Sequence, residues 1–143
     1  MKKWIGSAGI CVNHLGELLM VLQGKPEEVK KWTVPSGGVE QNETFETCCM
    51  REMEEETGNR VGIGEEIKLK SYRDKTLDIV VEVHYFLADI VGGERNIQDP
   101  DHLIYDIAWK SIDELKDLEL CFPEDRDFLI DWVMRCQRKH TSQ

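Results

Sequence analysis

Residues 76–91, TLDIVVEVHYFLADIV, alternate well enough to predict one long β-strand. One face would carry Leu77, Ile79, Val81, Val83 and Tyr85; the other would carry Asp78, Val80, Glu82, His84 and Phe86. Gly92-Gly93 breaks the pattern. A strand needs neighbours for its backbone N–H and C=O groups, so the rest of the chain has to build a sheet around it.

Other segments supply that sheet and cover it. Residues 4–13 and 18–22 read as strands joined by the turn His14-Leu15-Gly16-Glu17. A charged loop, KPEEVKK, leads to a short extended piece, WTV, stopped by Pro35-Ser36-Gly37-Gly38. Residues 44–57 read as a helix ended by Gly58, and 103–109 as another strand. Ser111 can cap a short helix, SIDELKDL, and residues 123–140 form a terminal helix with Pro123 near its start and basic residues at its end. Strands come before, between and after helices, which predicts an α/β class with a mixed sheet. No repeat or linker interrupts residues 1–143, so we expect a single domain.

Composition narrows the function. A hydrophobic fraction of 41% supports an ordinary core, and no apolar run is long enough to span a bilayer. The start, MKKWIGSAGICVNH, reads as a buried strand rather than a leader. Five cysteines, odd in number and without a CxxC, predict reduced thiols in a cytoplasmic protein. A formal net charge of −10 argues against a nucleic-acid surface, and without a bilayer-length apolar run we expect no membrane partner. A small anionic ligand stays possible if metal ions supply positive charge.

The helix carries the chemistry. Glu52, Glu54, Glu55 and Glu56 crowd its last turns. On a helical wheel Phe45, Cys49 and Met53 form the apolar side and Glu54 points away from it. Glu52 and Glu56 instead lie close to Phe45 and Cys49, with Glu55 on the flank. Like charges at i,i+4 cost about 0.2–0.5 kcal/mol, and acids near a helix C-terminus oppose the macrodipole. A cation between them reverses both signs. Carboxylate oxygens suit Mg²⁺ or Mn²⁺, whose shell substrate phosphates can complete. A merely solvated acidic helix is the competing reading.

The preceding loop shifts the balance. Gly37, five residues, Glu43, seven residues, and then Arg51-Glu52-Met53-Glu54-Glu55-Glu56-Thr57-Gly58 resembles the Nudix box, GX5EX7REUXEEXGU. Every fixed residue is present; Asn59 departs from the final apolar position. The resemblance implies an α/β/α sandwich and metal-dependent hydrolysis of a nucleoside diphosphate linked to another moiety. It makes Glu52, Glu55, Glu56 and the Gly37 carbonyl the metal ligands, with Arg51 orienting the acids and Glu43 supporting the loop–helix junction. Glu52, Glu55 or a loop acid would accept the proton of the attacking water. It also allows a homodimer, and a non-catalytic Nudix-fold sensor is the alternative.

Outside the box the signals thin out. Gly38, Trp32 and Tyr85 are our substrate-contact candidates, with Phe86 and Trp109 as further stacking candidates; an aromatic on a strand is more often core. Asp99, Asp101 and Asp106 are candidates for an extra ligand or base, and surface solvation is the alternative for each. Where the family often has arginine, this chain has Gln23, which leaves phosphate contacts to Lys25, Lys30, Lys31, Arg73 or Lys75. The proline that ADP-ribose hydrolases tend to carry after the box is missing, and Tyr72 lies near but not at a dinucleoside polyphosphate marker. By elimination, a small nucleotide such as a nucleoside triphosphate is the expected substrate.

Overall fold

In the computed structural model, which describes residues 2–99 and 102–141, the chain runs β1 (Lys3–Ile10), β2 (Leu18–Gln23), β3 (Lys31–Thr33), β4 (Ser36–Gly38), α1 (Phe45–Thr57), β5 (Asn59–Asp74), β6 (Ile79–Gly93), β7 (Ile104–Lys110), α2 (Ile112–Asp117) and α3 (Arg126–Thr141). A single 3₁₀ turn, Pro123–Asp125, leads into α3. One sheet has the order β4-β1-β6-β5 and the other β3-β2-β7. β1 runs parallel to β6 while its other neighbour, β4, is antiparallel, so the expected mixed sheet is present.

Each sheet face has its own cover. Cys49 and Met53 of α1 pack with Cys11, Leu19, Phe86 and Ile107 in one cluster. Ala8, Leu18, Met20 and Tyr85 pack with Leu115 of α2 and with Leu129 and Val133 of α3 in the other. The sheets are therefore sandwiched between helices. Met53 is fully buried and contributes about 1.5–3 kcal/mol by leaving water. Its approach depends on Gly9, where a Cβ would meet the Met53 and Cys49 sulfurs.

Two predicted boundaries move. β6 begins at Ile79, because Asp78 sits at φ 52 in the preceding turn; Leu77 is consequently exposed rather than part of the inner face. The segment after the predicted stop at Pro35 is extended, and Ser36–Gly38 pairs with β1. The largest omission is β5, which pairs with β6 along nearly its whole length.

Candidate active site

Helix α1 is fixed at both ends by local chemistry. The Thr44 side chain accepts from the Thr47 N–H, and the Thr47 hydroxyl side chain returns the bond to the Thr44 N–H, a reciprocal N-cap. Gly58 ends the helix in the left-handed region at φ 80, donating its N–H to the Glu54 carbonyl at 2.8 Å. The stretch after β6 docks on that end: Asn96 donates to the Thr57 carbonyl at 2.9 Å and Gln98 to the Glu55 carbonyl at 2.7 Å. Carbonyls that a helix terminus leaves unpaired are thereby satisfied.

The acids distribute as the wheel predicts. Glu54 is exposed and Glu56 is buried; the Glu52 and Glu55 side chains are 14% and 30% exposed. The Glu52 carboxyl fits against Gly37, where any Cβ would overlap it. Glu56 accepts a hydrogen bond from the Ser36 N–H at 3.3 Å. Strand β4 therefore forms the floor beneath both acids.

Arg51 ties the acids together. Its Nε and Nη2 donate to the two Glu43 oxygens at 2.6 and 2.9 Å, a bidentate pair. Nη2 also donates to the Gly38 carbonyl at 2.9 Å, and Nη1 to Glu52 at 2.7 Å and Glu55 at 3.3 Å. The Arg51 hydrogen bond holds the Glu43 carboxyl below its usual range. Burial pushes Glu52 up despite Arg51, and burial together with the Glu52 charge pushes Glu56 well up. The Glu52 charge opposes ionisation of Glu56, a repulsion that a proton or a cation between the two acids relieves. The adjacent Cys48 thiol donates to the Gly37 carbonyl at 3.5 Å and is pushed up to about 11 by burial.

Among the described residues, no three His, Cys, Asp or Glu side chains converge to hold a metal ion as arranged here. The donor chemistry nonetheless fits a hard divalent cation: Glu52 lies against Gly37, Glu56 on the neighbouring Ser36 N–H, and Glu55 shares Arg51 with Glu52. Arg51 is the cationic partner of Glu52 and Glu55.

Several other candidates lie elsewhere. Trp32 packs on the core beneath the Lys110 ammonium, 4.2 Å from its ring centroid. Phe86 and Trp109 belong to the α1-side core. Tyr85 is buried with its hydroxyl donating to Asp125 at 2.6 Å. Asp106 accepts from Arg95 and from the Ile107 N–H. Asp99 accepts from the N–H groups of Leu103 and Ile104, and its charge adds to the upward push on Glu56. Asp101 lies outside the described residues. Lys30 donates to the carbonyls of Lys25, Pro26 and Glu28, which uses its three protons within its own loop. Arg73 pairs with Asp78 at the β5–β6 turn.

A buried feature escaped the sequence reading. Lys70 of β5 and Asp125 before α3 form an ion pair at 3.1 Å beside a cavity also lined by Trp4, Ser36, Tyr72 and Phe122. The alternation of KLKSY across 68–72 was its available signal.

A family model for the NUDIX domain matches residues 4–133. The chain belongs to the Nudix family. Nudix hydrolases act on pyrophosphate bonds. This Nudix chain is 30% identical over 98 residues to "Nucleoside triphosphatase NudI" of Enterobacter sp. (strain 638), covering 63% of this chain and 68% of that one. It is 29% identical over 104 residues to "8-oxo-(d)GTP phosphatase" of Mycolicibacterium smegmatis, covering 73% of this chain but only 30% of that protein. Its fold matches a NUDIX hydrolase from Nitrosomonas europaea with a TM-score of 0.77 at 21% identity, over 99% of this chain and 90% of the other. A MutT protein from Methanosarcina mazei Go1 gives 0.72 at 20% identity, over 94% of each chain. No helix among the described residues is long and apolar enough to cross a membrane.

Proposed function

We propose that this Nudix protein is a divalent-metal-dependent pyrophosphohydrolase that cleaves a nucleoside diphosphate linked to another moiety, with nucleoside triphosphates as the substrate class. The observation that carries the reading is the seating of two acids one helical turn apart on strand β4, Glu52 against Gly37 and Glu56 on the Ser36 N–H, with Glu55 held beside them by Arg51. Carboxylates gathered this closely repel one another when ionised, and a divalent cation relieves that repulsion. The names of the two relatives above, a nucleoside triphosphatase and an 8-oxo-(d)GTP phosphatase, support the substrate class.

Glu52, Glu55, Glu56 and the Gly37 carbonyl would hold Mg²⁺ or Mn²⁺. Once bound, the ion neutralises the pyrophosphate and lowers the pKa of a water. The chain's own groups do the rest. Arg51, held by Glu43 and the Gly38 carbonyl, positions Glu52 and Glu55. Glu55 is the more accessible of those two acids and can accept the proton of the attacking water.

The test is phosphate release, with and without added pyrophosphatase, from nucleoside triphosphates, ADP-ribose, nucleotide sugars and dinucleoside polyphosphates. Turnover that a chelator abolishes is expected. Glu55→Gln should lower kcat by about 10²–10⁴-fold while leaving the far-UV spectrum and melting temperature close to wild type. Full activity of that variant in excess metal would remove Glu55 from the mechanism. Tight metal binding without turnover of any substrate would replace the hydrolase with a sensor.

A further inference from the structure

Three rows of residues cross one face of the four-stranded sheet: Trp4–Val81–Tyr72, Gly6–Val83–Lys70 and Ala8–Tyr85–Lys68, taken from β1, β6 and β5 in register. The middle row begins with a glycine. A Cβ on Gly6 would strike the Trp4 ring and the Gly37 carbonyl. The glycine lets the Trp4 ring lie over it, and Trp4 walls a cavity together with Tyr72 and Phe122. The cavity adjoins the acid site through Ser36, which lines it and donates its N–H to Glu56. An aromatic-walled slot beside a polyphosphate site suits a nucleobase, which every ring face can stack.

This slot contains a cation. The Lys70 side chain is 12% exposed, and its ammonium lies 4.6 Å from the Phe122 ring centroid and 5.5 Å from that of Tyr72. Burying an ammonium is costly unless it is paired. Here Glu124 accepts at 2.7 Å and Asp125 at 3.1 Å, and Asp125 is itself held by the Tyr85 hydroxyl. An ammonium has three protons and no acceptor. Those two carboxylates account for two protons, leaving one donor for whatever fills the slot.

We propose that Lys70 is a specificity-determining residue, and that the slot takes nucleotides whose base carries a carbonyl at its pairing edge, a 6-oxopurine or 4-oxopyrimidine, over their amino counterparts. A carbonyl oxygen accepts the remaining proton. An amino group at the same place sets donor against donor and leaves the ammonium unsatisfied, the kind of mismatch on which polar sites discriminate most strongly. The inference rests on the nucleotide-hydrolase reading above.

The test compares kcat/KM for inosine triphosphate and ATP, which differ at the pairing edge alone, in Mg²⁺. Wild type should favour inosine triphosphate by about tenfold or more. Lys70→Met should bring that ratio close to one, mainly through KM, and Lys70→Arg should keep part of the preference because it retains a donor. The wild-type ratio needs no variant, so it decides even if Lys70→Met fails to fold. Equal turnover of both nucleotides by wild type, or an unchanged ratio in a folded Lys70→Met, overturns the inference and leaves the hydrolase reading standing. Turnover of neither, nor of any nucleotide, overturns both.

Discussion

Arg51 is the residue on which the acid cluster depends. Its guanidinium serves Glu43, Glu52, Glu55 and the Gly38 carbonyl at once, a planar fork that a lysine's point charge could not reproduce. Opposite it, Gly37 is needed for space. Its Cβ would occupy the position of the Glu52 carboxyl, so Gly37→Ala must push Glu52 away from Arg51. We expect turnover to fall by about 10²-fold with a much smaller change in urea midpoint. A variant that keeps wild-type kcat would show that Glu52 need not sit on that floor. Both residues were legible in the sequence, because the spacing from Gly37 to Gly58 fixes their place relative to the acids. The contact itself was not legible, since it depends on how β4 lies under α1.

At the scale of elements, α1 declares itself and β5 does not. α1 has a reciprocal cap at Thr44, a glycine stop and an apolar stripe, all local signals. On β5 the rule of apolar-in, polar-out is reversed: Leu69 is exposed, while Lys68 and Lys70 face α3 and its preceding turn. Glu124 and Asp125, more than fifty residues later in the chain, make that tolerable. A similar long-range pairing joins β6 to the start of α1. His84 stacks on Phe45 with ring centroids 3.7 Å apart, and its two nitrogens face Glu66 and Glu82. Burial works to lower the His84 pKa, but the hydrogen bonds to both carboxylates outweigh it and raise the value above 6.5. The stabilisation is therefore fully present below the unfolded value of 6.5 and is lost as pH rises through the folded value. His84→Gln should cost more stability at about pH 5.5 than at about pH 8.5. Urea denaturation at the two pH values measures this, and a gap that widens with pH would contradict the doubly bonded imidazolium.

For the whole molecule, charge is the dominant quantity. A formal net charge of −10 includes the acids gathered on one face of α1, so a bound divalent cation relieves local repulsion as well as preparing a site. Ligand binding to the native state alone stabilises it by about 2.7 kcal/mol at one hundred times the dissociation constant. For a chain of this size Mg²⁺ should raise the melting temperature by roughly 5–10 °C. Glu52→Gln/Glu56→Gln should lose that rise. An equal rise in the double variant would place the stabilising ion elsewhere on the acidic surface.

The sequence by itself determined the class, the limits of α1, the burial of Glu52 and Glu56 and the exposure of Glu54, because helical period, caps and box spacing are short-range properties. Only the tertiary structure decided that Trp32 lies beneath Lys110 rather than beside the acids, that Tyr85 spends its hydroxyl on Asp125, and that Lys70 enters an aromatic slot. Each of those outcomes depends on which strands become neighbours. β1 reaches β6 through a parallel pairing across some seventy residues of chain, and no local periodicity encodes a partner at that distance.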